Sequence, residues 1–341
     1  MKKLMSLLLA TLMMASVLSG CGNNGGTTPP AASGSGAASS GAAAGATDSL
    51  TFSTGGSQGT YYAFGGVLSQ YVTSNTGMNV VAIESGGSQN NIENLQDGAA
   101  QLGFVQSDVM SYAYAGTNLF AETGAVTDIS TVANLYMEQV QIVTTNPDIK
   151  TVADLKGKNV SIGAAGSGVF YNAMDLLGAY DLTEQDINPT YQGFGDSADA
   201  LQDGKLDAAF VVAGAPTTAI TSLATAKSVY LVSLDDAHIA KLLETSPYYT
   251  EYTIPAGTYE GLDVDTKTVA VGAVVVARDD VSEQAIYEFV STIFENLDAI
   301  SAQHAKGTEL NVEFAASVTS VPYHPGAAKY FAEKGITVPT K

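Results

Sequence analysis

Two glycine- and hydroxyl-rich passages carry the chemistry most open to reading in this sequence. Ser49-Leu-Thr-Phe-Ser-Thr-Gly-Gly-Ser-Gln-Gly-Thr-Tyr-Tyr and Asn159-Val-Ser-Ile-Gly-Ala-Ala-Gly-Ser-Gly-Val-Phe-Tyr each read as a strand that empties into a Gly/Ser loop, with an aromatic pair opening the next helix. The first backbone N–H groups of a helix lack internal partners, and aligned peptide dipoles place about half a positive charge there. Glycine lets a ligand approach the backbone, while Ser and Thr hydroxyls donate without bringing a charge. Two such termini facing one cleft would offer roughly one unit of positive potential. Thr54, Gly59, Thr60 and Tyr61 in the first passage, and Ser167, Gly168 and Val169 in the second, are therefore candidate anion contacts. Either loop alone is equally well explained as turn and N-cap chemistry, and it is the matched pair that favours a ligand.

Strand ends supply a second set. Ser85-Gly-Gly-Ser-Gln follows a strand over 78–84, and Gln106-Ser-Asp and Ala213-Gly-Ala-Pro close two strands that each contain Phe-Val. Ligands of open α/β sheets sit outside the carboxyl ends of the strands. Ser88, Ser107 and Ala213 join the candidates on that ground, with Asp108 as an alternative cap for the following helix. Arg278 is the only arginine, so an anion would be held by N–H and hydroxyl donors rather than by a guanidinium fork.

Enzyme chemistry has one foothold. Gly55-Gly-Ser57-Gln-Gly59 fits the G-x-S-x-G pattern of a nucleophile elbow in a strand–turn–helix setting. Only one short strand precedes it, however, where that fold needs an upstream oxyanion loop. His238, His304 and His324 are the available triad bases, and each reads better as surface or helix-end chemistry. No two histidines share a helical turn, and no Gly-rich loop ends in Lys-Ser or Lys-Thr. Paired carboxylates such as Asp235/Asp236 and Asp279/Asp280 read as solvated turns and helix starts. One Cys excludes internal disulfides and Cys-ligated clusters. The expectation is a non-enzyme with no metal and no cofactor.

Short apolar strands alternating with helical patterns argue for α/β layers around these residues. The body also repeats itself once: Tyr61 corresponds to Phe170, while Leu95-Gln-Asp-Gly and Phe104-Val105 correspond to Leu201-Gln-Asp-Gly and Phe210-Val211. Two lobes of similar topology follow, since an extended array would need at least three copies. The chain is expected to cross between lobes twice, giving lobe 1 over 48–139, lobe 2 over 140–267 and a return strand with C-terminal helices of lobe 1 over 268–341. Thr268-Val-Ala-Val-Gly-Ala-Val-Val-Val-Ala reads as a strand buried on both faces. A long amphipathic helix follows, with Ile286, Phe289, Val290, Ile293, Phe294, Leu297 and Ile300 on its core side.

The N-terminus reads as an address. Lys2 and Lys3 precede an apolar run over 4–17 that is too short for a comfortable span and reads as a signal-peptide h-region. Leu18-Ser-Gly-Cys21 resembles a bacterial lipobox, which implies a signal over 1–20 and an acylated Cys21. Residues 22–47 are Gly, Ser, Ala, Thr, Pro and Asn without a charge, hence a flexible tether with a span of roughly 28 Å. The 341 residues carry 34 acidic against 14 basic side chains, a formal charge of −20 that excludes a nucleic-acid or anionic-lipid footprint. An adhesive lipoprotein would account for the anchor but not for two matched donor loops.

Taken in order, Thr54-Gly-Gly-Ser-Gln-Gly-Thr-Tyr-Tyr, Gly86-Gly-Ser, Gln106-Ser-Asp, Gly166-Ser-Gly, Ala213-Gly-Ala-Pro-Thr, Pro255-Ala-Gly-Thr-Tyr and His324-Pro-Gly-Ala resemble the TAXI-type solute receptors of tripartite ATP-independent periplasmic (TRAP) transporters. The resemblance runs from about Ser49 to Gly335. It implies a two-lobed, periplasmic-binding-protein type II fold with a ligand cleft between the lobes. It further implies capture of a small organic anion, of the glutamate, glutamine or 2-oxoglutarate type, for a cation-driven permease. On that reading the protein is a monomer outside the cytoplasmic membrane, and Tyr61 and Tyr191 wall the ligand's carbon skeleton. Val169 stands where such receptors often carry Thr, which removes one hydroxyl from the second loop. A receptor for an ABC importer is the alternative with the same fold.

Overall fold

The computed structural model describes residues 49–341; the expected signal segment, Cys21 and the tether lie outside the described residues. Three strand–helix units come first: β1 (Ser49–Ser53), α1 (Thr60–Asn75), β2 (Asn79–Ile83), α2 (Ser88–Gln96), β3 (Leu102–Gln106) and α3 (Ser107–Ala115). Their strands pair in parallel in the order β2-β1-β3. After β4 (Ile129–Thr144) the pattern recurs as β5 (Asn159–Ser161), α4 (Val169–Ala179), β6 (Asn188–Thr190), α5 (Phe194–Gln202), β7 (Ala208–Ala213) and α6 (Thr218–Ala226), with the parallel order β6-β5-β7. β8 (Tyr230–Leu231), α7 (Asp236–Thr245), β9 (Thr250–Ile254) and β10 (Thr266–Arg278) complete the second half. α8 (Glu283–Phe294), α9 (Leu297–Ser301), α10 (Val312–Ala315) and α11 (Pro325–Glu333) end the chain.

The repeat seen in the sequence is a repeat of structure. Leu95 and Leu201 are the buried penultimate residues of α2 and α5, and the Phe-Val pairs lie in β3 and β7. The shared Leu-Gln-Asp-Gly is a helix stop. Gly98 and Gly204 take φ of +73° and +72°, and each returns its N–H to the leucine carbonyl three residues back. A left-handed residue is needed there, which glycine adopts without the Cβ penalty.

Two long strands join the halves. β4 pairs antiparallel with β10 along Ile129–Gln139 and then with β7 along Gln139–Val143. β10 pairs with β9 through Thr266–Ala270 and with β3 through Ala273–Ala277. The sheet thus runs β2-β1-β3-β10-β4-β7-β5-β6. Both connectors are buried almost throughout, as the unbroken Val/Ala run of β10 requires. The apolar core nonetheless divides. One cluster gathers side chains from Leu50 to Tyr136 with Ala273 to Val338, and the other two gather those between Val140 and Val271. These are the two lobes.

One expected element differs. The long C-terminal helix ends at Phe294, and Leu297 and Ile300 belong to the separate α9. Asn296, with φ −133° and ψ 37°, leaves the helical region between them, so the two stretches bury their apolar faces independently.

Candidate ligand-binding site

A cavity of about 270 Å³ lies between the lobes at the carboxyl ends of their parallel strands. Equivalent loops build its two walls. From lobe 1 come β1–α1, β2–α2 and the end of β3; from lobe 2 come β5–α4, β6–α5 and the end of β7. Four helices begin on it, and each has glycine at its N-cap: Gly59 for α1, Gly87 for α2, Gly168 for α4 and Gly193 for α5. None of these caps is closed by a side chain. Away from the cavity Asp235, Ser282, Asn311 and His324 cap α7, α8, α10 and α11 with side-chain acceptors. The contrast is not general, since α6 and α9 also start without a side-chain cap, and the Asn90 N–H of α2 is taken by Gly166; what sets the cavity apart is that four glycine-capped starts meet on it. Four termini together supply roughly two units of positive potential.

Eight of the candidates from the sequence meet here: Gly59, Thr60, Tyr61, Ser88, Ser167, Gly168, Val169 and Ala213 all line the cavity. Three do not. Thr54 is fully buried under α1, its methyl packed where a Cβ on Gly65 would stand, and its hydroxyl donates to the Ile83 carbonyl at 2.6 Å. Ser107 turns toward the connector and accepts the Gly272 N–H at 3.0 Å. Tyr191 is 51 % exposed and donates to Glu184, so it walls nothing. The hydroxyls that do reach the cavity are mostly occupied as well. Thr60 donates across the cleft to the Gly214 carbonyl (2.8 Å), and Ser167 donates to Ala164 within its own loop (2.7 Å). Backbone N–H groups rather than hydroxyls are therefore the principal donors left facing the cavity.

Several residues of the site are absent from the sequence reading. Gly193, Phe194, Gly195 and Asp196 form the counterpart of Gly87-Ser88, and the spacing that relates Leu95 to Leu201 also relates Gly87 to Gly193. That signal was present in the repeat. Glu138 had no such signal, lying mid-strand in a buried run. It lines the cavity, accepts the Tyr61 hydroxyl at 2.5 Å, and has no other side-chain hydrogen bond among the described residues. Burial, against the opposing effect of Tyr61, pushes its carboxyl well above the usual carboxylate range. Tyr61 itself lies flat on Phe104, with ring centroids 4.7 Å apart, which fixes the hydroxyl over Glu138. The other two acids, Glu84 and Asp196, sit exposed at the rim, and the Ser57 N–H holds the Glu84 carboxyl below its ordinary value. No lysine, arginine or histidine lines the cavity.

Ser57 reaches the cavity without a histidine beside it. His238 is paired with Asp235 on the surface, His304 opens a short 3-10 helix and His324 caps α11. Among the described residues no group of three or more His, Cys, Asp or Glu could hold a metal ion.

The lobes are in contact around the cavity. The Asn90 N–H donates to Gly166 (3.1 Å), and the Ala219 N–H donates to Gln58 (3.2 Å). Gly168 approaches Gln106 so closely that a Cβ would lie 1.6 Å from Gln106 Oε1 and 2.8 Å from Val109 Cγ2. Only glycine closes that seam.

Solved structures share this architecture. The ligand-binding component of an ABC-type import system from Staphylococcus aureus, with zinc bound, aligns over 86 % of this chain and 94 % of its own at 9 % identity and a TM-score of 0.51. A protein from Bordetella bronchiseptica RB50 aligns over 83 % and 88 % at 15 % identity and a TM-score of 0.50. The periplasmic aliphatic sulphonate binding protein of Escherichia coli aligns over 85 % and 91 % at 18 % identity and a TM-score of 0.44. At such identities the likeness speaks to fold, that of two-lobed, type II periplasmic binding proteins. The model of the NMT1-like family matches residues 52–335, from β1 through α11, so the chain belongs to the NMT1-like family.

Proposed function

We propose that this protein is an extracytoplasmic solute receptor that encloses a small organic anion between its lobes and hands it to a cation-coupled permease of the TRAP type. The observation that carries the reading is the convergence of four helix starts, glycine-capped and drawn from both lobes, on one cavity. Oriented N–H groups bind a carboxylate well where water is excluded, and they require no side chain to reorganise. At about 270 Å³ the cavity suits a small acid. Burial favours the neutral form of Glu138, which lessens its repulsion of an anion, and Tyr61 sets its orientation. Glutamate, glutamine and 2-oxoglutarate are the ligands we favour, on the resemblance of the ordered motifs to TAXI-type receptors.

Cys21 would hold the receptor at the outer face of the membrane through its lipid. A second reading keeps the fold and changes the partner, since the Staphylococcus aureus neighbour is a component of an ABC-type import system. Thermal-shift screening of the purified protein against amino acids and organic acids tests the receptor reading. Stabilisation by an acid and by none of its uncharged analogues is expected, and no response across the panel refutes it. Uptake that collapses with an ionophore but survives ATP depletion separates the TRAP partner from an ABC importer.

A further inference from the structure

Beside the cavity Asn172 of α4 is fully enclosed and bridges the lobes. Its Nδ2 donates to Asp108 Oδ2 at 2.9 Å and to the Tyr249 hydroxyl at 2.7 Å, and its Oδ1 accepts from Gln106 Nε2 at 2.8 Å. Gln106 and Asp108 belong to lobe 1, whereas Asn172 and Tyr249 belong to lobe 2. Gln106 is also a lining residue of the cavity, and its Oε1 is the atom that meets Gly168. Asn172 thus holds a ligand-facing side chain from the opposite lobe.

The second half of the cluster is an incomplete hydrogen-bond set. Asp108 is fully buried, and among the described residues no group sits in good hydrogen-bond geometry on its Oδ1. A carboxylate with one oxygen so placed in a site closed to water is unfavourable, and a proton on it removes most of that penalty. The groups facing Asp108 are Asp175 of α4, Tyr249 ahead of β9, Tyr112 of α3 and, further off, Glu138 of β4. Tyr249 donates to Asp175 (2.9 Å), so it offers Asp108 no proton. Burial raises the Asp108 carboxyl from 3.8 to about 6, against the Asn172 bond and the backbone N–H groups of Val109 and of Asp108 itself, and with a smaller rise from Asp175. With the lobes apart the same carboxyl would meet water and return to an ordinary value.

We propose that shutting the lobes, which encloses Asp108 beside Asn172 of the opposite lobe, takes up a proton on Asp108 in mildly acidic solution. The inference rests on the receptor reading for what the shut lobes enclose. Its test requires no solute, so the two readings fail separately. A rise of about two units in the carboxyl pKa makes closure roughly a hundredfold more favourable at pH 3.5 than at pH 8.

The test follows aspartate carboxyl carbons by carbon-13 NMR in the full chain from pH 3.5 to 8, with Asp108 assigned through Asp108→Asn. Gly168→Ala serves as a wedge between the lobes. The wild-type Asp108 should titrate near 6, and in the wedge variant it should titrate as an ordinary aspartate. An ordinary value in the wild type, or a raised value in both proteins, overturns the proposal. Should the wedge variant not fold, thermal midpoints decide. The wild-type midpoint should fall as pH rises through 6 and that of Asp108→Asn should not, while parallel profiles would overturn the proton linkage.

Discussion

Thr54 and Thr60 sit six residues apart, both buried, and each donates its hydroxyl to a backbone carbonyl, which makes them a matched pair for testing how the cleft works. The Thr54 bond stays within lobe 1, at Ile83, and the Thr60 bond crosses to Gly214 in lobe 2. In neither case does alanine leave the carbonyl bare. Ile83 keeps the Thr54 N–H at 3.0 Å, and Gly214 keeps the Thr217 hydroxyl at 3.1 Å. Thr60→Ala therefore removes one buried hydrogen bond, worth about 0.5–1.5 kcal/mol, and removes it only from the shut state. Affinity for the acid found by screening should weaken roughly two- to tenfold by calorimetry. Thr54→Ala loses a similar bond and a methyl packed on Gly65, about 1–2 kcal/mol in all, but loses it whether the lobes are open or shut. Its thermal midpoint should drop by a few degrees with affinity unchanged at a temperature where it is folded. Equal losses of affinity in the two variants would refute the assignment of Thr60 to the seam and Thr54 to the core.

Other substitutions probe the remaining parts of the site. Gly168→Ala places a Cβ against Gln106 and Val109, and overpacking of that kind costs about 1–3 kcal/mol; calorimetry should show the ligand weakened tenfold or more. Tyr61→Phe takes from the buried Glu138 carboxyl its one side-chain donor, and urea denaturation should show a loss of about 0.5–1.5 kcal/mol. For Asp108 the sign is the opposite of a salt-bridged aspartate. A carboxyl raised to about 6 stabilises the shut fold fully below 3.8 and loses that contribution as pH rises through 6, so Asp108→Asn should be the more stable protein at pH 8, by about 3 kcal/mol at most. Ser57→Ala should leave any trace ester hydrolysis unaltered, measured against a panel of esters, since no histidine stands beside Ser57.

Much of the frame is legible in the amino acids because it depends on local physics. The β10 run of Val and Ala can only be a strand covered on both faces, and the repeated Leu-Gln-Asp-Gly stops a helix wherever it occurs, since Gly98 and Gly204 take the left-handed turn that other residues resist. Glycine before Thr60 and before Val169 marks two helix starts that carry no side-chain cap. The same repeat relates Gly193 to Gly87, two residues beyond Tyr191.

Composition and spacing by themselves determine the strand–helix alternation, the single internal duplication and the scarcity of arginine. What the tertiary structure alone decides is where each hydroxyl spends its hydrogen. Thr54 and Ser107 look as available as Ser88 and Ser167 along the chain, yet packing turns the first toward Ile83 and the second toward the Gly272 N–H. Glu138 enters the cavity, and Asn172 reaches Gln106 and Asp108, for the same reason. Partners separated by tens of residues meet only when two lobes close, and no local preference of the chain encodes which side chains will then share a buried space.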